Sequence, residues 1–144
     1  MIKIKTILCP IDYSKGSLAA LDYALHFALR EAARLYLMHV IDVRYLEGYT
    51  PLEVVSPDSE TINRIKEELG ERVPGDVRKK IRVETIVTVG IPVLEIVNTA
   101  KEKEVDVIIM GTHGRTGIAH VIMGSVAENV VRRAHCPVLT VRQP

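Results

Sequence analysis

Apolar, β-branched runs at residues 4–10, 35–41, 81–87, 105–110 and 138–141 alternate with stretches of helical periodicity. Leu18, Leu21, Leu25, Leu29 and Ala32 recur at three- and four-residue steps, the stripe of an amphipathic helix of about 18 residues with Ser14 as its N-cap. Residues 59–69 read as a charged helix with Ile62, Ile65 and Leu69 on one face. Pro92 suits the first turn of a third helix, which presents Leu94, Ile96, Val97 and Ala100. A fourth starts at Ser125, turns Val126, Val130 and Ala134 inward and ends in Arg132 and Arg133, which favour its dipole. Strands alternating with helices imply right-handed crossovers. Strands apolar on both faces imply a parallel sheet covered on both sides. The expectation is an α/β fold, a doubly wound, five-stranded parallel sheet with helices on both faces. Its ligands would sit beyond the carboxyl ends of the strands at a switch point.

Length and composition narrow the function. A chain of 144 residues is expected to form one domain, 1–144. A net charge of +1 gives no support to nucleic acid as a partner. No stretch approaches the ~20 apolar residues of a membrane span, and no signal peptide is visible. Cys9 and Cys136 are too few for a disulfide framework and read as buried free thiols, which fits a cytoplasmic setting. Residues 42–58 hold Gly48, Pro51 and Pro57 and read as a long loop at the ligand end of the sheet. Residues 73–80 read as a shorter turn around Pro74-Gly75.

The stretch 110–126, MGTHGRTGIAHVIMGSV, carries the chemistry. An apolar strand leads into Gly111, Gly114, Gly117 and Gly124, and a helix start follows at Ser125. Glycine admits positive φ and close backbone approach, and a helix N-terminus offers free N–H donors to an anion. A Walker A loop is excluded because no lysine separates Gly124 from Ser125. The dinucleotide fingerprint is excluded because His113 stands where its second glycine would be, and the first strand-to-helix turn has no glycine from Cys9 to Ser14.

The remaining pattern, G-x2-G-x9-G-S over Gly111, Gly114, Gly124 and Ser125, resembles the ATP-binding branch of the universal stress protein family. The likeness covers the whole chain. It includes Pro10-Ile11-Asp12 followed by Ser14 and an alanine-rich helix, a second strand ending in His39-Val40, and the close from Gly124 through Cys136-Pro137-Val138-Leu139. The resemblance implies a Rossmann-like sheet of order 3-2-1-4-5. It implies an adenine pocket walled by Pro10, Ile11 and Val40, with Asp12 near the adenine amino group or the ribose. Met110 and Gly111 would lie beside the ribose. The backbone of Thr112, His113, Gly114, Arg115, Thr116 and Gly117 would curl over the phosphates. Ser125 and the N–H groups of Val126 and Ala127 would meet phosphate oxygens, and Mg2+ or Mn2+ would accompany the nucleotide. It also implies a homodimer through the last strand, Val138, Leu139, Thr140 and Val141, alongside a protein partner that the sequence does not identify.

Plainer readings stand beside these. Ser125-x-x-Glu128 has the spacing of a capping box. Asp12 can cap the first helix. His39 reads as a satisfied core histidine, and His113 and His120 as surface residues without a metal spacing. No residue is singled out to activate water, although Thr112, His113 and Thr116 lie on the loop. The expected function is a nucleotide-dependent stress or signalling switch with slow or partner-dependent hydrolysis at most. The alternative is an enzyme that cleaves or transfers at an ATP phosphate.

Overall fold

The computed structural model describes residues 1–45, 57–114 and 122–143. The strands are β1 (Thr6–Pro10), β2 (Arg34–Asp42), β3 (Val83–Gly90), β4 (Val107–Gly111) and β5 (Val138–Val141). The helices are α1 (Lys15–Glu31), α2 (Ser59–Glu71), α3 (Gly75–Arg78), α4 (Pro92–Glu102) and α5 (Ser125–Arg133). Every strand pair is parallel, and the sheet order is β3-β2-β1-β4-β5. The chain winds outward from β1 to β3, then returns to lay β4 against the free side of β1. The carboxyl ends of β1 and β4 therefore flank the switch point where open α/β sheets take ligands.

Strand alternation divides the core. Ile7, Cys9, Ile11, Leu35, Leu37 and Ile109 pack beneath α1 and α2 with Ala20, Ala24, Ala28 and Leu69. Leu8, Tyr36, Met38, Ile108 and Met110 face α4 and α5, where they meet Ile96, Ala100, Ala127 and Val130. Burial pushes the Cys9 thiol well above its ordinary range, so it stays a neutral core group; Cys136 is half-buried and shifted the same way by desolvation.

Several expectations are corrected. The buried face of α1 runs through Gly16, Ser17, Ala20, Leu21, Ala24 and Ala28, whereas Leu18 and Leu25 are half-buried and Leu29 is 40% exposed. Small residues at four-residue steps bring the helix axis close to the sheet; Leu21 stays in the core while Leu18 and Leu25 lie on its flanks. Ala32 sits in the left-handed C-cap at φ 51 and is exposed. Leu94 of α4 is 43% exposed, and Ile96, Thr99 and Ala100 are the buried residues there. Residues 73–80 contain α3 as well as turn, and β3 runs on to Gly90, paired with Asp42. Val105 precedes β4; its N–H donates to the Ala100 carbonyl and closes α4.

One side chain ties the amino ends of β1 and β4. Asp106 Oδ2 accepts from the Lys5 N–H at 2.7 Å, the Thr6 N–H at 2.9 Å and the Thr6 hydroxyl at 3.0 Å. Burial raises the pKa of this carboxyl, but those donors outweigh burial and hold it below the ordinary carboxylate range.

Candidate functional site

The first wall is the turn from β1 into α1. The Ile11 N–H donates to the Met38 carbonyl at 2.7 Å, so the chain stays strand-like past Pro10 before it turns. Asp12 Oδ1 accepts from the Ser14 N–H at 2.9 Å, and Ser14 Oγ accepts from the Ser17 N–H at 3.2 Å as the helix cap. Asp12 thus braces the turn, while Ser14 caps α1. Tyr13 lies between them in the left-handed region at φ 65. Its ring rests 5.0 Å from that of His39, with the Arg72 guanidinium 5.3 Å over it. This packing holds a conformation that a tyrosine rarely adopts. His39 Nδ1 lies 2.7 Å from the Ile11 carbonyl. A carbonyl only accepts, so Nδ1 carries the proton, and His39 is the satisfied histidine its sequence context suggests.

The second wall is the exit of β4. The Thr112 N–H donates to the Val141 carbonyl at 3.0 Å, and the Thr112 carbonyl accepts from the Gly124 N–H at 2.6 Å. That second bond cinches the base of the loop between β4 and α5. Thr112 is 7% exposed, and its Oγ1 lies 3.0 Å from His113 Nδ1. Arg115, Thr116 and Gly117 of the expected phosphate contacts, and His120, lie outside the described residues.

The glycines show how closely the walls approach. A Cβ on Gly111 would stand 2.7 Å from the Gly16 carbonyl carbon, and one on Gly114 would stand 2.7 Å from Asp12 Oδ2. A Cβ on Gly124 would meet the Thr112 carbonyl oxygen at 3.1 Å. None of the three occupies the left-handed region, so close approach rather than positive φ is what requires glycine here. Gly16 was not among the expected residues. Its signal is a glycine in the first turn of a helix, a costly choice unless another backbone comes near.

Other expected residues separate by face. Val40, Met123 and Val126 all pack against the α4–α5 core that contains Met110, and Pro10 points the same way by alternation with Cys9. Ile11 is 2% exposed in the α1-side core. It can offer a ligand no side chain, and its backbone N–H and carbonyl are already bonded. The capping box is also corrected. Gly124 is the N-cap, without a side-chain cap bond, and Ser125 is the first helical residue. One position too late to cap, Ser125 is exposed, Val126 half-buried and Ala127 buried. Their N–H groups belong to the first turn, which has no acceptor within the helix. The site thus combines a carboxylate, a cinched loop, an apolar flank and the positive end of α5. Among the described residues, no three His, Cys, Asp or Glu side chains gather as a metal site, and no helix is long and apolar enough to cross a membrane.

Comparison with known proteins gives this arrangement a family. Universal stress protein MJ0531 of Methanocaldococcus jannaschii is 37% identical over 145 residues, covering 97% of this chain and 83% of its own length. The solved structure of MJ0577, from the same organism, superposes with a TM-score of 0.77 at 34% identity and covers 99% of each chain. A universal stress protein solved in complex with cAMP superposes with a TM-score of 0.69 at 28% identity, covering 99% of this chain and 100% of its own. The sequence model of the Universal stress protein family matches residues 3–142, and with the fold shared with these solved structures, this chain belongs to that family.

Proposed function

We propose that this chain is an ATP-binding member of its family, acting as a nucleotide-dependent stress or signalling switch with slow or partner-dependent hydrolysis at most. The observation that carries the reading is the approach of Gly114 to Asp12, where a Cβ would stand 2.7 Å from the carboxylate. Glycine lets the chain at 114 approach the β1–α1 turn at the switch point without displacing that carboxylate, which is the close approach a polyphosphate cradle needs. A relative solved with cAMP supports an adenine nucleotide.

In this reading the base lies against Pro10, Val40 and Met110, with Asp12 at its amino group or at the ribose. Gly111 lies beside the ribose. The main chain from Thr112 to Gly117 and the Arg115 side chain follow the phosphates, and Ser125, Val126 and Ala127 offer N–H groups to the terminal oxygens. Mg2+ or Mn2+ arrives with the triphosphate and is held by its oxygens rather than by a protein cage. The protein works in the cytoplasm as a homodimer, with a further protein partner reading the nucleotide state.

Isothermal titration with ATP, AMP and GTP, followed by single-turnover hydrolysis, tests this. ATP is expected to bind more tightly than AMP and GTP and to turn over slowly. No heat with any nucleotide would overturn the reading. Fast turnover without a partner would replace the switch by an enzyme acting at an ATP phosphate.

A further inference from the structure

Thr88 lies near the carboxyl end of β3, and its register partner on β2 is Val40. By alternation it shares the face of Ile86, which packs against the α4–α5 core that holds Met38. Its hydroxyl oxygen is buried and has no hydrogen-bond partner among the described residues. The residue as a whole is only partly buried, and its register partner Val40 lies on the apolar flank of the site. A hydroxyl that gives up its water bonds without replacing them destabilises the fold that holds it, and valine would fill the same space without that cost. Neighbouring strands are about 4.8 Å apart, so Thr88 stands one strand beyond the Val40 wall and within a base's width of it.

We propose that the Thr88 hydroxyl is a base-binding group of the site, completing its hydrogen bond with the polar edge of the base. This rests on the nucleotide reading above and names a contact within it. The edge of a purine alternates donors and acceptors, and a hydroxyl can meet either. The bond forms only when a base is present, so its effect belongs to the base and not to the phosphates.

Titration of the full chain with ATP and with inorganic triphosphate separates the two. Thr88→Val removes the hydroxyl at nearly constant shape. It is expected to weaken ATP about five- to tenfold, the worth of one neutral hydrogen bond, and to leave triphosphate unchanged. Thr88→Ser is expected to restore ATP affinity to within about twofold, and the thermal midpoint of Thr88→Val should not fall. Should the valine variant fail to fold, Thr88→Ala carries the same comparison. Wild-type affinity for ATP in Thr88→Val, or equal losses on ATP and triphosphate, would overturn the proposal while leaving the nucleotide reading in place. Failure of the wild-type chain to bind ATP at all would overturn both.

Discussion

Gly111 and Gly114 exclude a side chain for different reasons, and the difference separates stability from binding. The obstacle at Gly111 is main chain, with Gly16 C, Gly16 O and Ser17 N within 2.7–3.0 Å of a built Cβ. Backbone in the first turn of a buried helix has nowhere to move, so Gly111→Ala forces α1 off β4. A loss of about 1–3 kcal/mol is expected from overpacking, read from the denaturant midpoint. The obstacle at Gly114 is the Asp12 carboxylate, which can swing aside at the expense of its 2.9 Å bond from the Ser14 N–H. Gly114→Val should therefore fold with a near-normal midpoint and lose ATP binding in titration. Normal ATP affinity in that variant would make the loop a turn and nothing more. The spacing of these glycines was legible in the sequence, but their separate duties were not. Which atom a missing Cβ would strike depends on Gly16 and Asp12, which lie far away in the chain. Ser125 shows the same limit on a local scale, because S-x-x-E is read identically whether the chain enters the helix at position 124 or 125.

Elements were legible where periodicity and packing agree, as in all five strands and their parallel pairing, whereas the order of the strands followed from the family resemblance. Helix α1 has the expected cap, and Leu21 is in its core with Leu18 and Leu25 beside it; the expected stripe misses the alanines and includes the exposed Leu29 and Ala32, because leucines outweigh alanines in a reading by hydrophobicity. Burial here follows proximity: Ala20, Ala24 and Ala28 are fully buried, while Leu29 is 40% exposed. Ala24→Leu is accordingly expected to cost about 1–3 kcal/mol, and Leu29→Ala to stay within about 0.5 kcal/mol. Equal effects in denaturant unfolding would mean that the leucines carry the helix after all. The Asp106 clasp joins two other elements and adds a pH dependence. Its folded pKa is depressed, so its contribution is full above the ordinary carboxylate value of about 4 and disappears as pH falls through the lower folded value. Asp106→Asn should cost about 1–2 kcal/mol at pH 7, and the gap to wild type should narrow steadily below about pH 4. A gap of the same size at pH 7 and pH 3 would remove the charge from this account.

At the scale of the whole molecule, β5 is the edge strand of the sheet beside β4. Its four residues carry no charge, and Leu139 is 37% exposed. An uncharged edge with free backbone groups favours pairing with another strand. Two bonds fix which groups point outward: the carbonyls of Pro137 and Val141 accept from the N–H groups of Ile108 and Thr112, on the β4 side. The N–H and carbonyl of one strand residue point the same way and alternate along the chain. Those of Val138 and Thr140 therefore point outward. A second copy related by a two-fold axis would meet them antiparallel and self-complementary. Proline at 140 removes an N–H that the sheet itself does not use, which edge strands tolerate. Thr140→Pro is thus expected to convert a homodimer to a monomer in analytical ultracentrifugation, with the far-UV spectrum and ATP binding retained. Proline at 139 strikes an inward-facing N–H instead, so Leu139→Pro should lower the thermal midpoint whatever the oligomeric state. If Thr140→Pro leaves a dimer intact, the two copies meet through another face, and the outward groups of β5 are satisfied by water.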